Sequence, residues 1–250
     1  MAKTPPVFCV VHVLSWPMDI TLSTTLKHLS LITWDVDPAR LQAFLPPQLI
    51  PATVPSPAGP RALFSMALML EAGLAPKSMP WLSLYFAQLN ERAYVTRPDG
   101  SGFGVYFWRS YVSSPSFIAP RWGLGMPYFW KRMTLEVKEQ TLALSSKTEH
   151  FATLELSAPA TSTSANGPSP EAVRDLTANP MIGYSILRKK RLASFTVEHP
   201  PITPRLVSVR HVDPSTMLAA PTLAPGQQPV VACYEAESPF FIHLPPRDVL

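Results

Sequence analysis

The chain has 250 residues, of which 46% are hydrophobic and only 15% charged, so it can bury a substantial core and lacks the composition of a disordered chain. Lys and Arg number 21 against 17 Asp and Glu, and a net charge of +4 is too small a surplus to mark a nucleic-acid partner. Thirty prolines beside ten glycines imply many bends and few long helices.

Residues 1–26, with prolines, a short apolar segment and a Ser/Thr cluster, read as an arm packed on a domain formed by residues 27–250. The apolar run Val7–Val11 is too short to span a bilayer, and Leu14-Ser15-Trp16-Pro17-Met18 is a poor cleavage site, so the expectation is a cytoplasmic protein with no membrane partner. Leu29–Trp34 reads as a strand. Asp37-Pro38 then offers an N-cap and a first-turn proline for a short helix through Leu41, Phe44 and Leu45, stopped by Pro46-Pro47. After a Pro/Ser loop at 51–60, the apolar run Leu63–Leu70 reads as a second strand.

Residues 84–112 carry the clearest pattern: strands Tyr85–Thr96 and Val105–Val112 around Pro98-Asp99-Gly100-Ser101-Gly102, a β-hairpin. A period of two sets Gln88, Asn90, Arg92 and Tyr94 on one face and Leu89, Ala93 and Val95 on the other. Residues 114–125 read as a short helix or covering loop; segments 128–138, 140–146 and 150–157 form an antiparallel meander; and 159–170 is a surface loop. The basic run Arg188-Lys189-Lys190-Arg191 reads as a solvated strand or loop end. The remaining elements, 192–199, 205–212 and 229–236, are too few for a second core. The fold class expected is therefore α+β, a single largely antiparallel domain closed into a barrel, with a few short helices.

The familiar catalytic signatures, GxSxG, GxGxxG, the P-loop and HExxH, are missing, and six dispersed histidines offer no pair at ligand spacing. Cys9 and Cys233 stand far apart with no CxxC, so neither a zinc site nor a disulfide framework is expected, and no metal or cofactor is assigned. His199, beside Pro200-Pro201, is a candidate for lining a site.

Trp34-x-x-Asp37, Leu41 and Pro46, then Gln88-Leu89-Asn90-Glu91-Arg92-Ala93-Tyr94-Val95, Gly104-Val105-Tyr106-Phe107, Gly125-Met126-Pro127-Tyr128 and His199-Pro200-Pro201, in that order, resemble the DUF2071 family. That family is grouped with the acetoacetate decarboxylase-like superfamily, and the resemblance runs over about residues 28–245. It implies a conical, largely antiparallel β-barrel with an interior pocket, commonly in oligomers. It also implies a catalytic lysine directly after a proline, forming a Schiff base with a ketone. Tyr128 stands at that position here, Asp35 where the decarboxylases carry an arginine, and Gln88 where they carry a glutamate.

A phenol cannot form an iminium, and an aspartate repels a β-keto acid, so decarboxylation through a Schiff base is not expected. Lys131, three residues further along the strand, falls on the opposite face by parity. The pocket expected is lined by Gln88, Asn90, Arg92, Tyr94, Tyr128 and Trp130, with Arg109, and suits an uncharged or weakly polar small organic ligand. Three functions follow: a small-molecule-binding protein; a lyase, hydratase or cyclase using Tyr128 as acid and Asp35 as base; or a non-catalytic structural or oligomerisation module, a homo-oligomer being compatible with each.

Overall fold

The computed structural model describes residues 20–117, 125–157, 166–187 and 190–249. Its strands are, in chain order, β1 (Ile20–Val36), β2 (Ile50–Pro51), β3 (Thr53–Val54), β4 (Arg61–Pro76), β5 (Leu84–Thr96), β6 (Gly104–Val112), β7 (Tyr128–Trp130), β8 (Met133–Lys138), β9 (Thr141–Ser146), β10 (His150–Glu155), β11 (Ile182–Ile186), β12 (Leu192–Glu198), β13 (Arg205–Leu206), β14 (Ser208–Val212), β15 (Val231–Leu244) and β16 (Arg247–Asp248). The described part of the segment read as an arm, residues 20–26, is the first half of β1, where it pairs with β15 and β4.

Hydrogen bonding joins β15, β1, β4, β5, β6, β11 and β12 in that order, and β12 returns to β15 through Val197 opposite Ile242 and Glu198 opposite Phe241. The result is a near-closed ring, antiparallel throughout except where β11 runs parallel to β6. The expected barrel architecture is thus present, mostly β with few short helices. Closure leaves few long strand edges exposed. The meander expected at 128–157 divides: β7 stays with the ring beside β6, while β8, β9 and β10 join β14 in a separate four-stranded sheet. The chain leaves the ring at Lys131 and Arg132.

Bulges bend these long strands. Between Lys27 and Ser30 the register of β1 against β4 shifts, and His28 takes a left-handed φ of 56° there, its Nδ1 2.8 Å from the Tyr234 hydroxyl. A second bulge, between Glu91 and Arg92, leaves Trp108 of β6 as the extra residue. The hairpin turn forms as expected, with Gly100 at φ 79° and Asp99 accepting from the Ser101 backbone N–H at 2.9 Å.

Helix α1 (Pro38–Gln42) begins as its sequence dictates: the Asp37 side chain accepts from the Arg40 N–H at 3.0 Å and Pro38 occupies the first turn. Helix α2 (Pro170–Ala178) and β11 occupy a stretch to which the sequence analysis assigns no element. The helix buries only the narrow stripe Val173, Thr177 and Ala178, and its clearest sequence signal is the Ser169-Pro170 cap.

The two faces of the ring strands have different fates. Ile32, Trp34, Phe64, Met66, Leu68, Leu89 and Trp108 point outward and pack with Leu142, Leu144, Phe151 and Leu154 of the second sheet into the main core. Trp34 stacks on Phe64 at 5.4 Å, and Trp108 meets Phe64 edge-on at 6.4 Å. Inside the ring, Leu31, Leu63, Tyr94, Cys233, Val173 and Ile202 close one end. Cys233 is fully buried there, and burial pushes its thiol up to about 12, which leaves it an inert core group. Cys9 lies outside the described residues, as do 188–189 of the basic run; Lys190 is exposed and Arg191 pairs with Asp248 at 2.7 Å.

Candidate functional site

The rest of the ring interior is a cavity of about 310 Å³. Every second residue of the strands points into it, so its lining follows from parity: Leu22, Thr24 and Leu26 from β1, Met69 and Glu71 from β4, Gln88, Asn90 and Arg92 from β5. Val105, Phe107 and Ser110 of β6, with Tyr128 of β7, add a further wall. Phe195, Val197 and His199 on one side and Phe240, Ile242 and Leu244 on the other complete a half-exposed apolar wall.

Against this apolar enclosure stands a buried polar row. Glu71, opposite Phe86 in the register, is followed along the groove by Gln88, Asn90 and Arg92. Gln88 Nε2 donates to Asn90 Oδ1 at 2.8 Å, and Arg92 Nη2 donates to the Tyr94 hydroxyl at 3.2 Å. Tyr94 itself is wholly buried, bonded also by Ser65 Oγ at 3.1 Å, and supports Arg92 from behind rather than lining the cavity.

Glu71 is the titratable group that matters most. Burial pushes its carboxyl up to about 7, against the opposing pull of the Thr24 hydroxyl, which donates to Oε2 at 2.6 Å. Tyr128 lines the same cavity, and burial first, then the Glu71 carboxylate, push its phenol well above the usual range. A carboxyl balanced between two protonation states near neutral pH beside a phenol held neutral is an arrangement able to take and return a proton. His199, the sequence candidate, donates from Nδ1 to the Pro200 carbonyl at 2.8 Å, and its ring stacks on Phe240 at 4.3 Å.

The structure thus brings together Gln88, Asn90, Arg92 and Tyr128, with Tyr94 behind them. It leaves three other sequence candidates outside. Asp35 accepts from Arg61 Nε at 2.7 Å and is not among the lining residues, so it does not meet Tyr128. Arg109 is turned away by the bulge at Trp108: Ser110 takes the inward position, and Arg109 lies on the Glu91 side, donating to the Tyr111 hydroxyl at 3.3 Å. Trp130 is 52% exposed, because β7 pairs only with β6 among the described residues and its far end reaches solvent.

Lys131 also stays outside the cavity. Its ammonium pairs with Glu149 and lies over the rings of Phe151 and Tyr111, at 4.8 and 5.2 Å. Among the described residues no lysine lines the cavity. No group of His, Cys, Asp and Glu among them could hold a metal ion, and no described helix is long and apolar enough to cross a membrane.

A family model matches residues 23–239, that of DUF2071, an uncharacterized conserved protein. The chain belongs to the DUF2071 family. Among solved structures, this DUF2071 protein is similar to an acetoacetate decarboxylase-like enzyme from Sphingomonas wittichii RW1, with a TM-score of 0.61, 12% identity and 92% of each chain covered. It is also similar to the acetoacetate decarboxylase of Legionella pneumophila, at TM-score 0.58 and 13% identity over 91% of this chain and 87% of the other. A third likeness is to the enduracididine biosynthesis enzyme MppR, solved with the condensation product of pyruvate and imidazole 4-carboxaldehyde, at TM-score 0.60 and 15% identity over 93% and 89%. MppR has also been solved with pyruvate. At these identities the likeness establishes the acetoacetate decarboxylase-like fold. No curated protein matches the DUF2071 chain.

Sequence reasoning missed Glu71. The apolar run that marks β4 in the sequence stops at Leu70, whereas the strand continues through Glu71-Ala72-Gly73-Leu74 to Pro76 with a single acid embedded in it. A lone carboxylate inside an otherwise apolar strand was the available signal, since such a group is buried only at a cost.

Proposed function

We propose that this DUF2071 protein holds a small organic molecule non-covalently in the ring cavity, on a decarboxylase-like scaffold that no longer forms a Schiff base. The observation that carries this reading is the lining itself: an apolar enclosure with a buried polar row and, among the described residues, no lysine. The resemblance aligns Tyr128 with the amine of the decarboxylases, and Lys131 is engaged by Glu149 outside the cavity. A volume of about 310 Å³ falls in the range of ligand pockets. The small-molecule complexes of MppR lend the same support by analogy of fold.

Borohydride reduction in the presence of acetoacetate, pyruvate and simple ketones tests the absence of iminium chemistry. Intact mass should remain that of the untreated protein; a reduced adduct on any lysine overturns the proposal.

Glu71 favours a second reading, an acid–base enzyme of the lyase or hydratase type. In it Glu71, not Asp35, accepts the proton and Tyr128 donates one, because these two share the cavity and Asp35 does not. Solvent deuterium exchange into bound keto acids, followed by NMR, should then occur in the native protein and stop in Glu71→Gln.

A further inference from the structure

Among the described residues Arg92 meets no anionic group. Arg92 is 9% exposed, it lines the cavity, and among the described residues its Nη2 donates to the Tyr94 hydroxyl. The guanidinium carbon lies 5.5 Å from the Tyr94 ring centroid, a contact that orients the planar group without neutralising it. Its Nε is buried and has no acceptor among the described protein atoms, and no ion pair involves it there. The adjacent acid, Glu91, points to the other face of the strand, where Oε2 accepts from the Leu218 N–H at 3.1 Å. The cavity carboxyl, Glu71, stands level with Phe86, six residues along β5 from Arg92, a backbone separation of roughly 20 Å at strand rise.

A buried guanidinium is costly unless an anion meets its forked donors, and the planar group fits a carboxylate through two parallel hydrogen bonds. From these groups we infer that the guest is an organic carboxylate with an apolar body, its carboxylate held by Arg92 and its body lying against Phe107, Phe195, Val197 and Ile242. The inference rests on the proposed binding function and narrows it from a weakly polar guest to an anionic one. A single cation among largely apolar walls matches the one charge of a monocarboxylate and would leave half the charge of a phosphate dianion unanswered. Gln88 and Asn90, next along the row, are placed to hydrogen-bond a second polar atom on the guest.

Isothermal titration of the full chain with hexanoate, octanoate and phenylacetate, each against its own primary amide, tests this without any variant. The acids should bind at least about tenfold tighter than the amides. Arg92→Gln should abolish that advantage, with Arg92→Lys retaining part of it. Equal binding of acid and amide overturns the inference while the binding function stands. An acid preference that survives in Arg92→Gln overturns it as well, by placing the anchor elsewhere. Binding by neither class overturns both. Should Arg92→Gln fail to fold, the native comparison and Arg92→Lys still decide.

Discussion

Glu91 and Arg92 are neighbours in sequence and occupy two different worlds. The outward face of β4 and β5 meets the second sheet in a solid core of stacked and edge-on aromatics, where Glu91 is wholly buried and bonded to a backbone N–H. Over part of its length the inward face of the same strands meets the cavity, which Glu71, Gln88, Asn90 and Arg92 line. One pair of strands therefore carries stability on one face and a site on the other. Strand alternation is what allows this: a change at a given position acts on one face, and its neighbour acts on the other.

Truncation on the two faces should break this comparison if it is wrong. Phe64→Ala, in the aromatic core, should cost about 3–5 kcal/mol by urea denaturation. Ile242→Ala, on the half-exposed cavity wall, should cost roughly 1–2 kcal/mol because it enlarges a space already present. Equal losses would mean that the cavity wall is packed as tightly as the core.

Glu71 sharpens the contrast through pH. Its folded-state value of about 7 lies above the 4.5 of an ordinary glutamic acid, so between those values the folded protein keeps a proton that the unfolded chain has released. Stability is therefore lost as pH rises through that window, by about 3 kcal/mol once Glu71 is fully ionised. Glu71→Gln, which keeps a partner for Thr24, should be more stable than the native chain at about pH 8 and nearly equal to it at about pH 5. Subtracting the two urea-midpoint profiles isolates this group from carboxyls such as Asp213 and Asp99, whose values are lowered by hydrogen bonds and which act in the opposite direction. A flat difference would show that Glu71 is not held neutral by burial.

Much of the cavity was legible where a strand is regular. Gln88, Asn90 and Arg92 lie on an unbroken stretch of β5, so a period of two sets them on one face, and that face lines the cavity. Arg109 went astray because one extra residue, Trp108, reverses parity beyond it, and a bulge writes no distinctive residue into the chain when neither glycine nor proline marks it. Tyr94 keeps the right parity but lies one layer too deep, plugging the ring instead of facing the cavity, and depth along a barrel is not encoded in alternation. Lys131 stays outside the cavity because the chain leaves the ring there for another sheet, not because a continuous strand turns it over. Ring closure itself depends on two residue pairs between β12 and β15, contacts between segments more than forty positions apart that no local pattern announces.

The smallest expected effect concerns Asp35, which follows Trp34 in β1 as Arg92 follows Glu91 in β5. Trp34 belongs to the core face, so alternation alone would direct Asp35 into the ring, where the sequence pointed it at a ligand. Near the end of β1, however, Arg61 from the start of β4 takes its carboxylate, Nε to Oδ2 at 2.7 Å, and Asp35 is paired before it reaches the cavity. With side chains 14 and 26% exposed, that ion pair is worth about 1 kcal/mol or less. Asp35→Asn should lower the urea midpoint slightly, less so at high salt, and leave both the deuterium-exchange rate and the carboxylate affinity unchanged. A loss of exchange in Asp35→Asn would restore it as the base and displace Glu71 from that role; preserved exchange leaves Asp35 a brace that holds the end of β1 against β4.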